Sequence, residues 1–276
     1  MEERIKRRTG QHTGSPIRVY NRDLFASRDS SKDCIAGGIS RFMSRCLIFD
    51  ADDTLWENNI FFERAIEEFL GLMAPLAPEP QHVLDLLRQV EQEFIPRWGY
   101  GSRNFINALQ ETYRRHCGPG DGVGFLRAID EIGERLLNHP IEILPGVPST
   151  LETLRRRYRL MLFTKGDSQE QSAKVSRSGL KRHFDWIEIV EEKNTEAYHA
   201  LALRHSLHKP STFMVGNSPR SDVLPALEAG LWAIYIPHPH TWDLEHQEVK
   251  PHPRLLVAQS VQELPSLLAE VLSEPD

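Results

Sequence analysis

Two rhythms of apolar positions run along the chain, and the change between them divides it. From about 58 to 142 the apolar residues recur mostly at steps of three and four. They are Phe61, Phe62, Ala65, Ile66, Phe69, Leu70 and Met73, then Val83, Leu84, Leu86, Leu87 and Val90, then Phe105, Ile106 and Leu109, then Phe125, Leu126, Ile129, Ile132, Leu136 and Leu137. That period is the buried stripe of amphipathic helices. The proline cluster between Pro75 and Pro80 and the glycine-rich stretch 118–124 separate them, so 58–142 predicts an all-helical block.

From LPGVP (144–148) onward short apolar runs alternate with helical segments. Ser149 with Glu152 predicts a capping box opening a helix that reaches Tyr158. Strands are predicted over 159–163, 186–190, 212–215 and 231–236, and helices over 168–179, 194–207 and 222–229. Such alternation predicts a parallel sheet with helices on both faces, a Rossmann-like α/β arrangement. The run 46–49 reads as its first strand, although the helical block separates it from the second. The expectation is therefore an α/β core built from 44–57 and 143–276, with 58–142 inserted as a helical cap. A cap leaving from the carboxyl ends of the strands would sit over the crevice where open α/β sheets bind ligands.

Composition narrows the class. With 276 residues, 40% hydrophobic and 26% charged, the chain can bury an ample core, and no apolar run is long enough to span a bilayer. The expectation is a cytoplasmic protein without a membrane partner. Cys34, Cys46 and Cys117 are odd in number and far apart, which argues against a disulfide framework or a CxxC metal site. Nine Lys/Arg and five Asp/Glu in residues 1–42 give that stretch +4, leaving −10 for the rest of a chain whose total is −6. An acidic body argues against a nucleic-acid partner. Residues 1–43 read as a solvated, poorly ordered basic extension.

The candidate chemistry lies just after the strands. Asp50 and Asp52 follow the first, Thr164 the second, Lys193 the third, and Asn217 and Asp222 the fourth. Carboxyl ends of parallel strands converge, so these distant residues are expected to meet. A spacing of two on extended backbone puts Asp50 and Asp52 on one side, where one carboxylate attacks while the other handles protons. Asp222 adds another hard oxygen suited to Mg²⁺. Phosphoryl transfer needs such a set: a cation for the phosphate oxygens, donors such as Thr164 and Lys193, and an in-line nucleophile.

In order and spacing, DADDT (50–54), Thr164 in LFTKG (162–166), Lys193 and GNSPRSD (216–222) resemble the four motifs of the haloacid dehalogenase-like hydrolase superfamily. LPGVP (144–148) and ALEAG (226–230) are similar to its phosphatase branch. The resemblance implies Asp50 as a nucleophile that forms an aspartyl-phosphate, and Asp52 as general acid and then base. It implies Mg²⁺ held by the Asp50 carboxylate, the Asp52 backbone carbonyl and Asp222, with a small phosphorylated metabolite closed in by a small helical cap. Asn217 stands where that family usually has an acid, which removes one negative charge and leaves open whether the amide oxygen reaches the metal. Asn194 stands where a proline often follows the motif lysine.

Other readings remain open. By itself the cluster Asp50, Asp52 and Asp53 reads equally as a cap and turn, and Asp53 is expected to be structural. A hydrolytic dehalogenase uses the same nucleophile without metal, a phosphomutase differs only in the acceptor, and a silent phosphometabolite-binding protein is possible on the same scaffold. A receiver-type signalling module is too compact for the 114 positions between Asp50 and Thr164. The Pro237–His240 stretch, with His246 and His252 beyond, reads as an extended loop able to touch substrate or cap, not a zinc site of known spacing. RWGYGSR (97–103) reads either as a specificity loop offering aromatic and arginine side chains or as cap core with solvated arginines. GPGDGVG (118–124) matches no dinucleotide fingerprint.

Overall fold

The computed structural model describes residues 45–77, 79–118 and 122–272. The basic extension 1–43 and Cys34 lie outside the described residues. Six parallel strands form one sheet: β1 (Cys46–Phe49), β2 (Arg159–Lys165), β3 (Trp186–Val190), β4 (Thr212–Gly216), β5 (Trp232–Tyr235) and β6 (Leu255–Val257), in the order β3-β2-β1-β4-β5-β6. Phe49 aligns with Leu162 on one side and with Val215 on the other, so β1 is central and the sheet order reverses beside it. That reversal is where open α/β sheets place their ligands.

Alternation along the strands builds two cores. Leu47, Phe49, Leu160, Leu162, Phe213 and Val215 face α5 (Val147–Leu154) and α9 (Leu264–Leu272). Cys46, Ile48, Met161, Phe163 and Met214 face Tyr198 and Leu201 of α7 (Thr195–Arg204) and Ala226 of α8 (Leu224–Glu228). Strands buried on both faces read as continuous apolar runs, which is why CLIF and RLMLF are legible as strands.

Between β1 and β2 stand α1 (Asn59–Met73), α2 (Pro80–Trp98), α3 (Ser102–Cys117) and α4 (Val123–Leu137). They enclose an apolar cluster of their own, including Phe69, Leu87, Val90, Leu109 and Ile129. The chain's exit to these helices and its return run side by side. Trp56 bridges Ile143 antiparallel, and Glu57 N–H donates to the Glu142 carbonyl at 2.9 Å.

Several elements depart from the sequence reading. No capping box forms at Ser149. With Gly146 at φ 74° as the cap and Pro148 pre-set for a first helical turn, α5 starts three residues earlier than a Ser149 cap implies and ends at Leu154, and Ser149 Oγ donates to the Gly146 carbonyl at 3.0 Å. Residues 222–229 are not one helix. A single wide turn over Pro219–Val223 carries Asp222, and α8 follows. Strand β6 escaped the pattern, because three apolar residues after a long loop are too few to show a period, and helix α9, whose Leu264, Leu267 and Leu268 do recur at helical spacing, lies beyond the last element predicted. Among the described residues no helix is long and apolar enough to cross a membrane.

Candidate active site

Asp50 leaves the end of β1 with its N–H on the Val215 carbonyl at 2.9 Å, which fixes the backbone between the two central strands. Its Oδ1 meets Lys193 Nζ at 2.5 Å, and the same ammonium meets Asp222 Oδ1 at 2.5 Å and the Phe163 carbonyl at 3.2 Å. Lys193 is 2% exposed and Asp222 1%, so two carboxylates share one cation out of water. Desolvation raises both acids, against the pull of Lys193, and Asp222 is pushed up to about 7 by burial and then by the charge of Asp50. Burial alone would lower Lys193, but the carboxylates of Asp222 and Asp50 outweigh it and hold the ammonium protonated.

Asp222 reaches this point because the wide turn before α8 folds it back onto β4. Ser218 N–H donates to its Oδ2 at 3.0 Å, and a Cβ added at Gly216 would lie 2.2 Å from that oxygen. Glycine there is a requirement of close approach. Asn217, one residue on, is tied to Thr54. The Asn217 N–H donates to Thr54 Oγ1 at 3.2 Å, and the amide nitrogen donates to Thr241 Oγ1 at 3.0 Å. The Thr54 hydroxyl lies 3.1 Å from Asp50 Oδ2 and 3.2 Å from Asn217 Oδ1, and with one proton it serves one of them at a time.

Asp52 has other company. Its carboxylate accepts from Trp56 Nε1 at 2.7 Å, Gln171 Nε2 at 2.8 Å and Lys174 Nζ at 2.9 and 3.0 Å. Gln171 and Lys174 are three apart on α6 (Ser168–Ser178), which leaves the end of β2 with Asp167 as its N-cap. Burial opposes ionisation of Asp52, but the Lys174 ammonium and these donors prevail and hold it below the usual carboxylate range. The sequence reading missed Gln171, Lys174 and Thr54. The signal was there in part: α6 starts at the carboxyl edge, and its buried positions include Gln171 and Lys174, polar residues on an inward face. Asp53, at φ 57°, caps α1, accepting from the N–H groups of Asn58 at 2.8 Å and Asn59 at 3.0 Å. Burial, with the charge of Asp52, pushes its carboxyl up to about 8.

A second buried network flanks the site. Lys165 Nζ is 2.5 Å from Glu245 Oε1, Ser221 Oγ donates to Glu245 Oε2 at 2.5 Å, and Ser218 Oγ donates to the same oxygen. Asp50, Asp52, Thr164, Lys193, Asn217 and Asp222 all line one cavity of about 300 Å³ that also reaches the wall of α1 to α3. Strand-end convergence thus brings together every predicted site residue, with Asp52 on a separate set of partners. From the 97–103 segment Gly99, Tyr100 and Gly101 face the cavity, and the two arginines are exposed. Tyr100 donates to Glu192 Oε2 at 2.7 Å, and Lys165 Nζ sits 4.2 Å from its ring centre. The histidine loop meets α1 and the turn before it. His240 Nδ1 is 2.8 Å from Glu63 Oε2, and His238 Nε2 is 3.4 Å from Glu57 Oε2.

A parallel sheet that gathers acids and a lysine at its carboxyl edge, under an inserted helical block, defines a class of α/β hydrolases. A family model described as haloacid dehalogenase-like hydrolase matches residues 45–230, and the chain belongs to that family. A glyceraldehyde 3-phosphate phosphatase of Methanothermobacter thermautotrophicus is 29% identical over 205 residues, 70% of this chain and 86% of its own length. The pyrimidine 5'-nucleotidase YjjG of Escherichia coli is 29% identical over 200 residues, 69% of this chain and 84% of its own. Among solved structures, a haloacid dehalogenase-like family hydrolase from Xanthomonas campestris superposes with a TM-score of 0.74 at 29% identity, covering 83% of this chain and 92% of that one. A 2-haloacid dehalogenase from Pseudomonas syringae pv. tomato is more distant, with a TM-score of 0.54 at 25% identity over 83% of this chain and 99% of that one.

Proposed function

We propose that this chain is a Mg²⁺-dependent phosphatase that hydrolyses a small phosphorylated metabolite in the cytoplasm through an aspartyl-phosphate. The observation that carries the reading is the buried Asp50–Lys193–Asp222 cluster opening into the cavity. The phosphatase names of the relatives of similar length support it.

The donor set fits the metal. Two carboxylates facing one ammonium leave a surplus negative charge in a desolvated place, and hard oxygens are the ligands Mg²⁺ takes. Asp50, Asp222 and the backbone carbonyl of Asp52 would hold it, with the Asn217 amide oxygen beside them. Bound there, Mg²⁺ supplies positive charge to the oxygens of the transferring phosphoryl group. The rest falls to the chain. A carboxylate oxygen of Asp50 attacks phosphorus as the bond to the leaving oxygen breaks, and Lys193 and Thr164 donate to the phosphoryl oxygens; Asp52, ionised beside Lys174 in the free chain, takes up a proton as the negatively charged phosphate binds and gives it to the leaving oxygen. Water then attacks the aspartyl-phosphate while Asp52 takes its proton, and inorganic phosphate leaves. The helical block acts as the cap over this chemistry.

The test is hydrolysis of para-nitrophenyl phosphate with Mg²⁺ and with chelator, followed by acid quenching and mass spectrometry of the peptide containing Asp50. The expected result is metal-dependent turnover and one trapped phosphoryl group on Asp50. Turnover without any such adduct overturns the nucleophile assignment. Asn217 and the dehalogenase neighbours favour a second reading, hydrolytic dehalogenation at carbon. Halide release from 2-haloacids without metal, with no phosphatase activity, would establish it.

A further inference from the structure

The cavity has two chemically different ends. Away from Asp50 it is walled by Phe62, Ile66, Leu84, Leu87, Phe94 and Phe105. Helix α2 supplies Leu84, Leu87, Phe94 and Ile95 from one stripe, and at the stripe position where the spacing asks for another apolar residue it carries Glu91. Glu91 lines the cavity, and among the described residues its carboxyl makes no hydrogen bond or ion pair. Its helical neighbour Arg88 is taken by Asp85 at 3.3 Å and Asp243 at 3.1 Å. Burial pushes the Glu91 carboxyl up to about 7, against the pull of Arg88.

This wall is poor at holding a polyol. Each hydroxyl brought against it would lose water without a partner. The other polar groups nearby are engaged: the Tyr100 hydroxyl by Glu192, the Asn104 amide nitrogen by the carbonyls of Trp98 and Gly99, and the Glu63 carboxyl by His240 and Asn59. An apolar wall with one convergent acid, half-buried and without a partner among the described residues, matches a ring with one donor, and a cavity of about 300 Å³ is small enough to select for it.

We propose that the substrate's leaving group is a flat apolar group bearing an N–H donor, with the ring against the helical wall and the donor on Glu91. This rests on the phosphatase reading and names its substrate class. The experiment uses the full chain with Mg²⁺ and compares kcat/KM for glycerol 3-phosphate, phenyl phosphate and 4-(aminomethyl)phenyl phosphate. Phenyl phosphate is expected to exceed glycerol 3-phosphate by about 10-fold or more, and the amine to add about another 10-fold. Glu91→Leu, which suits an apolar wall, should bring the amine-to-phenyl ratio to about 1, and Glu91→Gln should lower it in between. A purely structural Glu91 would change both rates together and keep the ratio, which overturns the proposal, as would a polyol phosphate turned over as well as the aryl ester. Calorimetric binding of the matching phosphonates reads the same ratios without turnover. If no ester is hydrolysed but the phosphonates show the Glu91-dependent preference, the phosphatase reading fails and the subsite stands.

Discussion

The two ends of the cavity solve opposite problems. At the sheet edge, charges are buried and each has a partner: Lys193 between Asp50 and Asp222, Lys174 on Asp52, Lys165 on Glu245. At the helical wall the surface is apolar and its acid, Glu91, has no such partner. The first arrangement suits a group that must meet every substrate alike, a phosphate. The second suits whatever distinguishes one substrate from another. The two ends also rest on different supports. The edge is held by strand backbones in fixed register, whereas the wall belongs to helices with their own apolar cluster and touches the edge through a few polar contacts. Ser102, the first residue of α3, gives its N–H to Glu170 Oε2 at 2.9 Å and its hydroxyl to Glu170 Oε1 at 2.7 Å, and Glu170 in turn lies 4.0 Å from Lys174.

The sharpest way to break this comparison is at the edge. Asp50→Asn should lower kcat by at least about 10⁴-fold, because in the proposed mechanism Asp50 is the nucleophile and its loss removes the covalent path. Circular dichroism and the melting curve should show an intact fold, and retained turnover would mean the edge is not where the reaction happens. Next, Gly216→Ala should cost about 10²-fold in kcat/KM, since the new Cβ displaces the Asp222 carboxylate and small misplacements carry costs of that order. A rate within about threefold of the parent would show that Asp222 can move without loss.

The flanking network tests whether edge charges need their partners. Lys165→Met leaves Glu245 buried with hydroxyl donors alone and should cost about 2–3 kcal/mol in chemical denaturation at neutral pH. Burial opposes ionisation of Glu245, but the charge and hydrogen bond of Lys165 and the two serine hydroxyls hold its carboxyl below the usual range. A depressed carboxyl contributes stability that is fully present above its unfolded pKa, about 4.3, and is lost as pH falls through the folded value. The gap between parent and variant should therefore be widest near neutrality and shrink on acidification below about pH 4. A gap that grew on acidification would contradict the assignment. The smallest effect concerns the link between the ends. A double-mutant cycle of Ser102→Ala and Glu170→Ala should show a coupling of about 1 kcal/mol in stability. Zero coupling would mean the helical block is not fastened to α6 at this point.

Much of this protein was readable from its residues. The change from steps of three and four to short apolar runs marks the helical insertion and the strands β1 to β5, because burial on one stripe or on two faces leaves a period in the chain. The placement of Asp50, Thr164, Lys193 and Asp222 after strands was enough to expect their meeting, since parallel strands converge at one edge. Local spacing could not say which charge would neutralise which. That Asp52 turns to Lys174, that Asn217 is tied to Thr54 and Thr241, and that Glu91 is left unmatched on an apolar wall were decided only when residues up to 163 positions apart came within 3.2 Å. Hydrogen bonds and charge pairs act across space and leave no period in the sequence, so the partners of each charge belong to the tertiary structure alone.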